Sequence, residues 1–252
     1  MRSANPALSD KTFADYTPIG IEPKRTDTMT LDGTVNKTVI LVLTVFGCAL
    51  IPWNMHFSPT GPQNVMPFLI GGAIVGFITA LVTIFNASIS PFTAPIYAIS
   101  KGFFLGALSA FFETMYPGIA VQAIFLTLTI LFSLLLAYKS GMIKVTENFK
   151  LGVVAATGGI FLFYLVAIIG RMFFDFHMPM IHSSGLMGIG FSLFVIVIAS
   201  LNLVLDFDFI EEAAENNTPK FMEWYGAFGL LVTLVWLYVE ILHLLAKLNS
   251  DD

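Results

Sequence analysis

Two segments in the last quarter of the sequence decide the fold: LNLVLDFDFIEEAAE at 201–215 and LVTLVWLYVEILHLLAKL at 231–248. The first is an apolar helix that runs into a cluster of acidic residues, and the second is an apolar helix that carries Glu240. A carboxylate in or beside hydrocarbon costs several kcal/mol, so an acid in a membrane segment is a functional hypothesis by default. These segments therefore predict both a membrane bundle and its candidate site.

The composition is that of a membrane protein. Of 252 residues, 56% are hydrophobic and 12% are charged, whereas a soluble domain carries about 25% charged residues. The net charge of −5 gives no indication of a nucleic-acid partner. The single cysteine, Cys48, cannot form an internal disulfide, and residues 1–36 lack the apolar core of a signal peptide. We expect a multi-pass protein of the lipid bilayer with a soluble tail at 1–36.

Seven apolar segments are long enough to cross a bilayer, which takes about 20 residues per helix. The predicted spans are 37–53, 66–85, 93–116, 118–138, 151–174, 186–205 and 225–248. They predict an all-α fold, with a seven-helix membrane domain at 37–248. Small residues recur at every fourth position in two spans, which lets helices approach closely: Gly72, Gly76 and Ala80, then Gly102, Gly106 and Ala110. Gly33, in the predicted tail, is expected to tolerate a bulky side chain.

The lysine and arginine residues predict the orientation. If the N-terminus is inside, nine of them fall on the cytoplasmic side and two on the other, leaving out Lys101 within its span. Short cytoplasmic loops carry an excess of these residues. We therefore expect a cytoplasmic N-terminus, an external C-terminus, and a cytoplasmic link between helices six and seven.

Helix six contributes Asp206 to the candidate site, with Asn202 one turn earlier on the same face. Asp208 points to nearly the opposite side, so only one of the two aspartates can face a given cavity. Asp208 continues into further acids at 211, 212 and 215, a pattern typical of a solvated helix extension, although it could also belong to an ion path.

Helix seven carries one polar stripe at spacings of three and four residues: Thr233, Trp236, Glu240, His243 and Lys247. Such a stripe must face protein or water rather than lipid, so helix seven is predicted to be enclosed by the others. Glu240 is open to two interpretations. It could form a structural ion pair with His243 or Lys247, or it could be a buried carboxylate whose protonation changes near neutral pH, where His243 also titrates.

Other polar residues give weaker signals. Lys101 and Glu113 in the third span could each reach an interface or line a polar cavity on an ion path. His177 and His182 lack a third ligand of fixed spacing, so they give little support to a metal site.

Several motifs resemble the Bax inhibitor-1 family, also called the transmembrane Bax inhibitor motif family, and in particular a bacterial branch. They are a D-x-x-x-I context at Asp206–Ile210 and an L-Y-x-acid context that ends at Glu240. Longer segments resemble the same branch, including SPFTAPIYAISKGFFLGALSAFFETMYPGI, SGMIKVTENFKLGVVAATGGI and IHSSGLMGIGFSLF. The resemblance covers nearly the whole chain.

The resemblance implies six helices around a central seventh and a pH-sensitive calcium leak across a bacterial inner membrane. In that mechanism, acids on helices six and seven share a proton that holds the pore shut. Asp206 and Glu240 would be these acids, with Asn202 and His243 beside them, and they are also the candidates for binding calcium. Glu240 is a glutamate where better-studied members have aspartate, and it lies 34 residues after Asp206.

Three other function classes were weighed. An intramembrane aspartyl protease would need a G-x-G-D context, which neither Asp206 nor Asp208 has. A retinal protein would need a lysine midway along helix seven, where this chain has Glu240. We expect no enzyme and no cofactor. The alternative function is a non-transporting regulator that binds a membrane protease or a stress-response complex, since some bacterial relatives are described in this way. Calcium flux in pure lipid vesicles separates the two functions, because a leak needs no partner.

Overall fold

The computed structural model describes residues 28–60, 63–174 and 185–250. Seven helices are long and apolar enough to cross a membrane, which confirms the predicted fold class. They are α1 Leu31–His56, α2 Met66–Phe85, α3 Ser90–Met115, α4 Ile119–Lys139, α5 Glu147–Phe174, α6 Leu186–Glu215 and α7 Met222–Asn249. A short 3₁₀ turn, Ala87–Ile89, precedes α3. Within the described ranges the only extended pairing is an isolated bridge between Thr28 and Pro219.

Two helices extend six or more residues beyond an end of their predicted spans. α1 begins at Leu31, six residues before the predicted boundary of the membrane domain, because Thr30 caps it by accepting a hydrogen bond from the Gly33 amide at 3.0 Å. α6 continues to Glu215, ten residues past its predicted end. Its acidic extension makes contacts with neighbouring helices, so it is not simply a solvated end.

Helix α7 lies at the centre of the bundle, as predicted. It packs against α1, α3, α4 and α6, whereas α2 packs mainly on α3 and α5 on α6. Bulky side chains along α7 are fully buried, among them Tyr225, Phe228, Leu237 and Leu242. An apolar helix enclosed on all sides can hold polar groups away from lipid, and this position makes α7 the natural carrier of a site.

The small-residue positions mark the places where helix backbones touch. A Cβ atom built on Gly106 of α3 would lie 2.2 Å from the Ala49 carbonyl oxygen of α1, and one on Gly72 of α2 would lie 2.6 Å from the Ser100 carbonyl oxygen. Both distances are shorter than real Cβ contacts allow. The predicted close packing is therefore confirmed at these positions, where only glycine fits.

Glu223, at the start of α7, ties that helix to the start of α1. Its buried carboxylate accepts hydrogen bonds from the amide and hydroxyl of Thr30, at 3.0 and 2.8 Å. It also pairs with Lys37 of α1 and, at 2.8 Å, with Lys220. Gly33 lies against the same carboxylate, with 2.1 Å between a built Cβ and Oε1. The expectation that Gly33 tolerates a bulky side chain is therefore wrong.

Since α1 and α7 begin beside each other at this contact, it serves to name the two ends of the bundle. We call the end at which α1 and α7 both begin the Leu31 side, and the opposite end the Asn249 side.

Candidate functional site

Asp206 is the most deeply buried acid at the contact between α6 and α7. Its side chain has no exposed surface, and its Oδ2 atom accepts a hydrogen bond from the Thr233 hydroxyl at 2.6 Å. Asn202 is also buried and lies one turn away on the same face, as predicted. Its Nδ2 atom donates to the Thr157 hydroxyl of α5 at 2.8 Å. These side chains link α5, α6 and α7 through one polar layer.

The polar layer lies well inside the bundle. Thr233 is about 16 Å along the axis from the first residue of α7 at 1.5 Å per residue. The sequence predicted that helix six ends at Asp206. That end is wrong, because α6 continues for more than two turns beyond Asp206.

Glu240 occupies a second polar layer. It is 4% exposed, and its Oε2 atom accepts a hydrogen bond from the Tyr164 hydroxyl of α5 at 3.2 Å. Glu240 lies two turns beyond Thr233 on α7, about 10 Å closer to the Asn249 side. Side chains between the two layers are fully buried and apolar, such as Leu203 and Leu237. The structure therefore places Asp206 opposite Thr233, and Glu240 in a different layer.

This geometry corrects the predicted pairing of acids. Two carboxylates can share a proton only when their oxygen atoms are within hydrogen-bonding distance. The residue of α7 that hydrogen-bonds to Asp206 is a threonine, which does not ionise. Any coupling between Asp206 and Glu240 must act across the apolar layer that separates them.

Lys247 is connected to Glu240 through a serine of α6. Its ammonium group donates hydrogen bonds to the Ser192 hydroxyl at 2.8 Å and to the Gly188 carbonyl oxygen at 3.1 Å. The hydroxyl of Ser192 in turn hydrogen-bonds to Glu240. The ion pair predicted for Glu240 is thus bridged by a hydroxyl. His243 makes an edge contact with the Phe112 ring, at 5.7 Å between centroids.

A cavity of about 650 Å³ opens beside Glu240 on the Asn249 side, between α3, α5 and α7. Four residues of the predicted polar stripe face it: Trp236, Glu240, His243 and Lys247. The remaining stripe residue, Thr233, faces Asp206. The stripe therefore faces protein and cavity, as the sequence predicted.

Asp208 points away from Asp206, as predicted, but it has a partner there. Its carboxylate is 2.9 Å from the Lys150 ammonium group at the start of α5, and its side chain is 24% exposed. Next to it, the Tyr138 hydroxyl of α4 donates to Glu211. The acidic extension of α6 is thus held against α4 and α5 on the Leu31 side.

Lys101 and Glu113, which the sequence offered for an ion path, make local contacts within the described residues. The half-buried Lys101 ammonium group lies 5.5 Å from the centre of the Tyr97 ring and 5.1 Å from that of Phe104. Glu113 accepts hydrogen bonds from the Gly118 and Ala120 amides at 2.6 and 3.0 Å. Glu113 therefore caps the first turn of α4, a structural role.

Metal ligands do not cluster in the described ranges, where no group of three or more His, Cys, Asp or Glu side chains could hold an ion. The pair proposed for calcium, Asp206 and Glu240, is divided between two layers. His177 and His182 lie outside the described residues.

Three side chains that sequence analysis missed complete the two layers and the contact between α7 and α1: Tyr164, Ser192 and Glu223. Thr233 belonged to the predicted stripe, but nothing indicated that it faces Asp206. Tyr164 and Ser192 are polar residues in otherwise apolar spans, which was the available signal for them.

Comparison with known proteins supports one family. A sequence profile described as "Bax inhibitor 1 like" matches residues 5–250. No curated protein and no solved structure matches the chain.

Proposed function

Because this chain belongs to the Bax inhibitor 1 like family of membrane proteins, we propose that it is a pH-sensitive cation leak that carries calcium. The observation behind this proposal is the fully buried Asp206 at the contact between α6 and α7. A carboxylate that is enclosed by protein at this position is costly to bury when it is charged, so its protonation is coupled to the contact between α6 and α7.

The proposed path runs along α7. From the Asn249 side, a cation enters the 650 Å³ cavity and meets Glu240. It then crosses the apolar layer at Leu203 and Leu237 and reaches Asp206. Beyond Asp206, the paired acid Asp208 marks the Leu31 side. Carboxylate oxygens at these levels suit a hard cation such as calcium, which prefers oxygen ligands.

Protonation of Asp206 is the proposed gate. A neutral carboxylic acid fits the buried contact with Thr233, whereas an ionised one costs several kcal/mol in such surroundings. Loss of the proton therefore favours a state in which α6 and α7 move apart, water enters, and a cation neutralises the carboxylate. The leak is expected to rise with pH. Glu240 acts one layer away as a cation site at the base of the cavity, with His243 beside it as a modulator.

The proposed location is the bacterial inner membrane with the N-terminus in the cytoplasm. This orientation rests on the excess of lysine and arginine on one side of the predicted spans. It makes the Leu31 side cytoplasmic and opens the cavity to the outside.

The test is flux from vesicles of pure lipid that hold purified protein. Release of calcium, sodium and protons is measured between pH ~5 and ~8, a range that brackets the titration of carboxylic acids shifted by burial. Asp206→Asn should abolish the rise with pH, while Glu215→Gln should leave it unchanged because Glu215 is an exposed acid of the same helix. Absence of any cation flux from wild-type vesicles would refute the leak and favour the regulator of a membrane protease.

A further inference from the structure

We propose that the cavity on the Asn249 side is a binding site for an organic cation with an apolar body, such as an aromatic amine. Its volume of about 650 Å³ falls within the ~300–1,000 Å³ that small-molecule sites occupy. Binding of such a cation does not require the protein to be a leak, and it can be measured without any flux.

The anionic anchor of the site is Glu240. Its carboxylate is almost fully buried at the cavity wall, and the hydroxyls of Tyr164 and Ser192 hold it in place. Hydrogen bonds from neutral hydroxyls orient a carboxylate but do not neutralise it. Lys247 reaches this carboxylate only through Ser192, whereas a bound ammonium group would contact it directly through a short, charge-assisted hydrogen bond.

Aromatic rings from three helices form the walls. Phe112 and Tyr116 come from the end of α3, Tyr164 from α5, and Trp236 from α7, one turn before Glu240. The face of an aromatic ring carries negative potential and attracts cations, most strongly for tryptophan. Rings around a single carboxylate therefore favour a cation with an apolar body. A calcium ion would pass through this cavity rather than stay bound in it, because a bound calcium ion needs six to eight oxygen ligands.

Lys247 sets the charge balance of the site. Among the described residues, the titratable groups that face the cavity are Tyr116 directly after α3, Tyr164 of α5, and Glu240, His243 and Lys247 of α7. Ser192 of α6 carries no charge and relays Lys247 to Glu240. Lys247 is thus a tethered ammonium group in the cavity wall, and a ligand ammonium group would compete with it for Glu240. Because of this competition, Glu240 should strengthen binding of the ligand and Lys247 should weaken it.

The test measures binding of phenethylammonium and of its neutral counterpart, phenethyl alcohol, to detergent-solubilised protein. Trp236 fluorescence reports binding in a background that carries Trp53→Phe and Trp224→Phe. Phenethylammonium should give a saturable change, and Glu240→Gln should weaken it by ~10-fold or more, the value of a charged hydrogen bond. Lys247→Gln should tighten it, and the exposed control Asp32→Asn should have no effect. Neither Glu240→Gln nor Lys247→Gln should change the fluorescence response to phenethyl alcohol.

Three results would overturn the proposal. Equal affinity for the amine and the alcohol would mean that the cavity is simply apolar. An affinity that Glu240→Gln leaves unchanged would remove the anchor. Binding of the anion 3-phenylpropanoate that is stronger than that of the amine, and is lost in Lys247→Gln, would identify an anion site instead. Lys247→Gln keeps Glu240 intact, so the predicted increase in affinity for phenethylammonium can be tested even if Glu240→Gln fails to fold.

Discussion

Replacing Gly106 with alanine tests the backbone contact between α1 and α3. The added methyl group would lie 2.2 Å from the Ala49 carbonyl oxygen, below the 3.0 Å that Cβ contacts respect. A carbonyl group in a helix cannot rotate away, so the two helices must separate along their contact. Overpacking of this kind costs about 1–3 kcal/mol, and a clash with backbone should lie near the upper end.

Gly47→Ala is the matched control. Gly47 is also a glycine within a membrane helix, but a Cβ atom there would meet nothing within 4 Å. The intrinsic gain in helix propensity from glycine to alanine, about 0.5–1 kcal/mol, is the same at both positions. The difference between the two variants therefore isolates the packing term, and we expect Gly106→Ala to be less stable than Gly47→Ala by about 3 kcal/mol.

The assay is reversible unfolding in mixed micelles by titration with sodium dodecyl sulfate, followed by helical circular dichroism. Reaction of the single cysteine, Cys48, with a thiol dye gives a second signal from the same helix pair. Equal free energies of unfolding for the two variants would refute the reasoning, because they would show that α1 and α3 do not touch at Gly106.

Three further predictions concern the site and the orientation. In vesicles, Asp206→Asn should flatten the rise of the cation leak with pH. Glu240→Gln should instead lower the flux at every pH while the flux still rises with pH. The reverse pattern would make Glu240 the pH-sensing residue. Glu223→Gln should lower the free energy of unfolding by about 1–3 kcal/mol, since it leaves the partly buried Lys37 ammonium group without its counter-charge, and unchanged stability would count against this contact between α1 and α7. With the native cysteine removed, a cysteine at Ser250 but not one at Ser3 should react with an impermeant reagent outside intact cells, and labelling of both would overturn the orientation.

Much of the fold could be predicted because its physical causes are local in sequence. A run of about 20 apolar residues is enough to predict a membrane helix, and glycine at every fourth position is enough to predict a close contact. The central place of α7 also had a local sign, the polar stripe through Glu240. Helix ends were harder, because the extension of α6 to Glu215 depends on Lys150 and Tyr138 of other helices.

The sequence predicted which residues form the site, but it did not predict which of their side chains contact each other. Asp206, Asn202 and Glu240 are buried as expected, yet which side chain faces each of them depends on how α5, α6 and α7 are aligned along their axes. A shift of two turns separates Thr233 from Glu240, and apolar helices of similar composition give no sign of that alignment. Thr233 was hard to identify because a threonine in a helix can also bond to its own backbone, as Thr233 does to the Gly229 carbonyl oxygen at 3.4 Å.

The central position of α7 has a consequence for assembly during synthesis. This helix follows the other six in the chain, so the ribosome completes it only after the helices that pack against it. Until then the growing bundle lacks its core, and contacts such as that between Lys37 and Glu223, 186 residues apart, cannot form. Contacts of such long sequence separation slow folding, and unfilled intermediates expose surfaces prone to misassembly. A ribosome-stalled chain that stops before Met222 should therefore be degraded rapidly, even though its first six helices have entered the membrane.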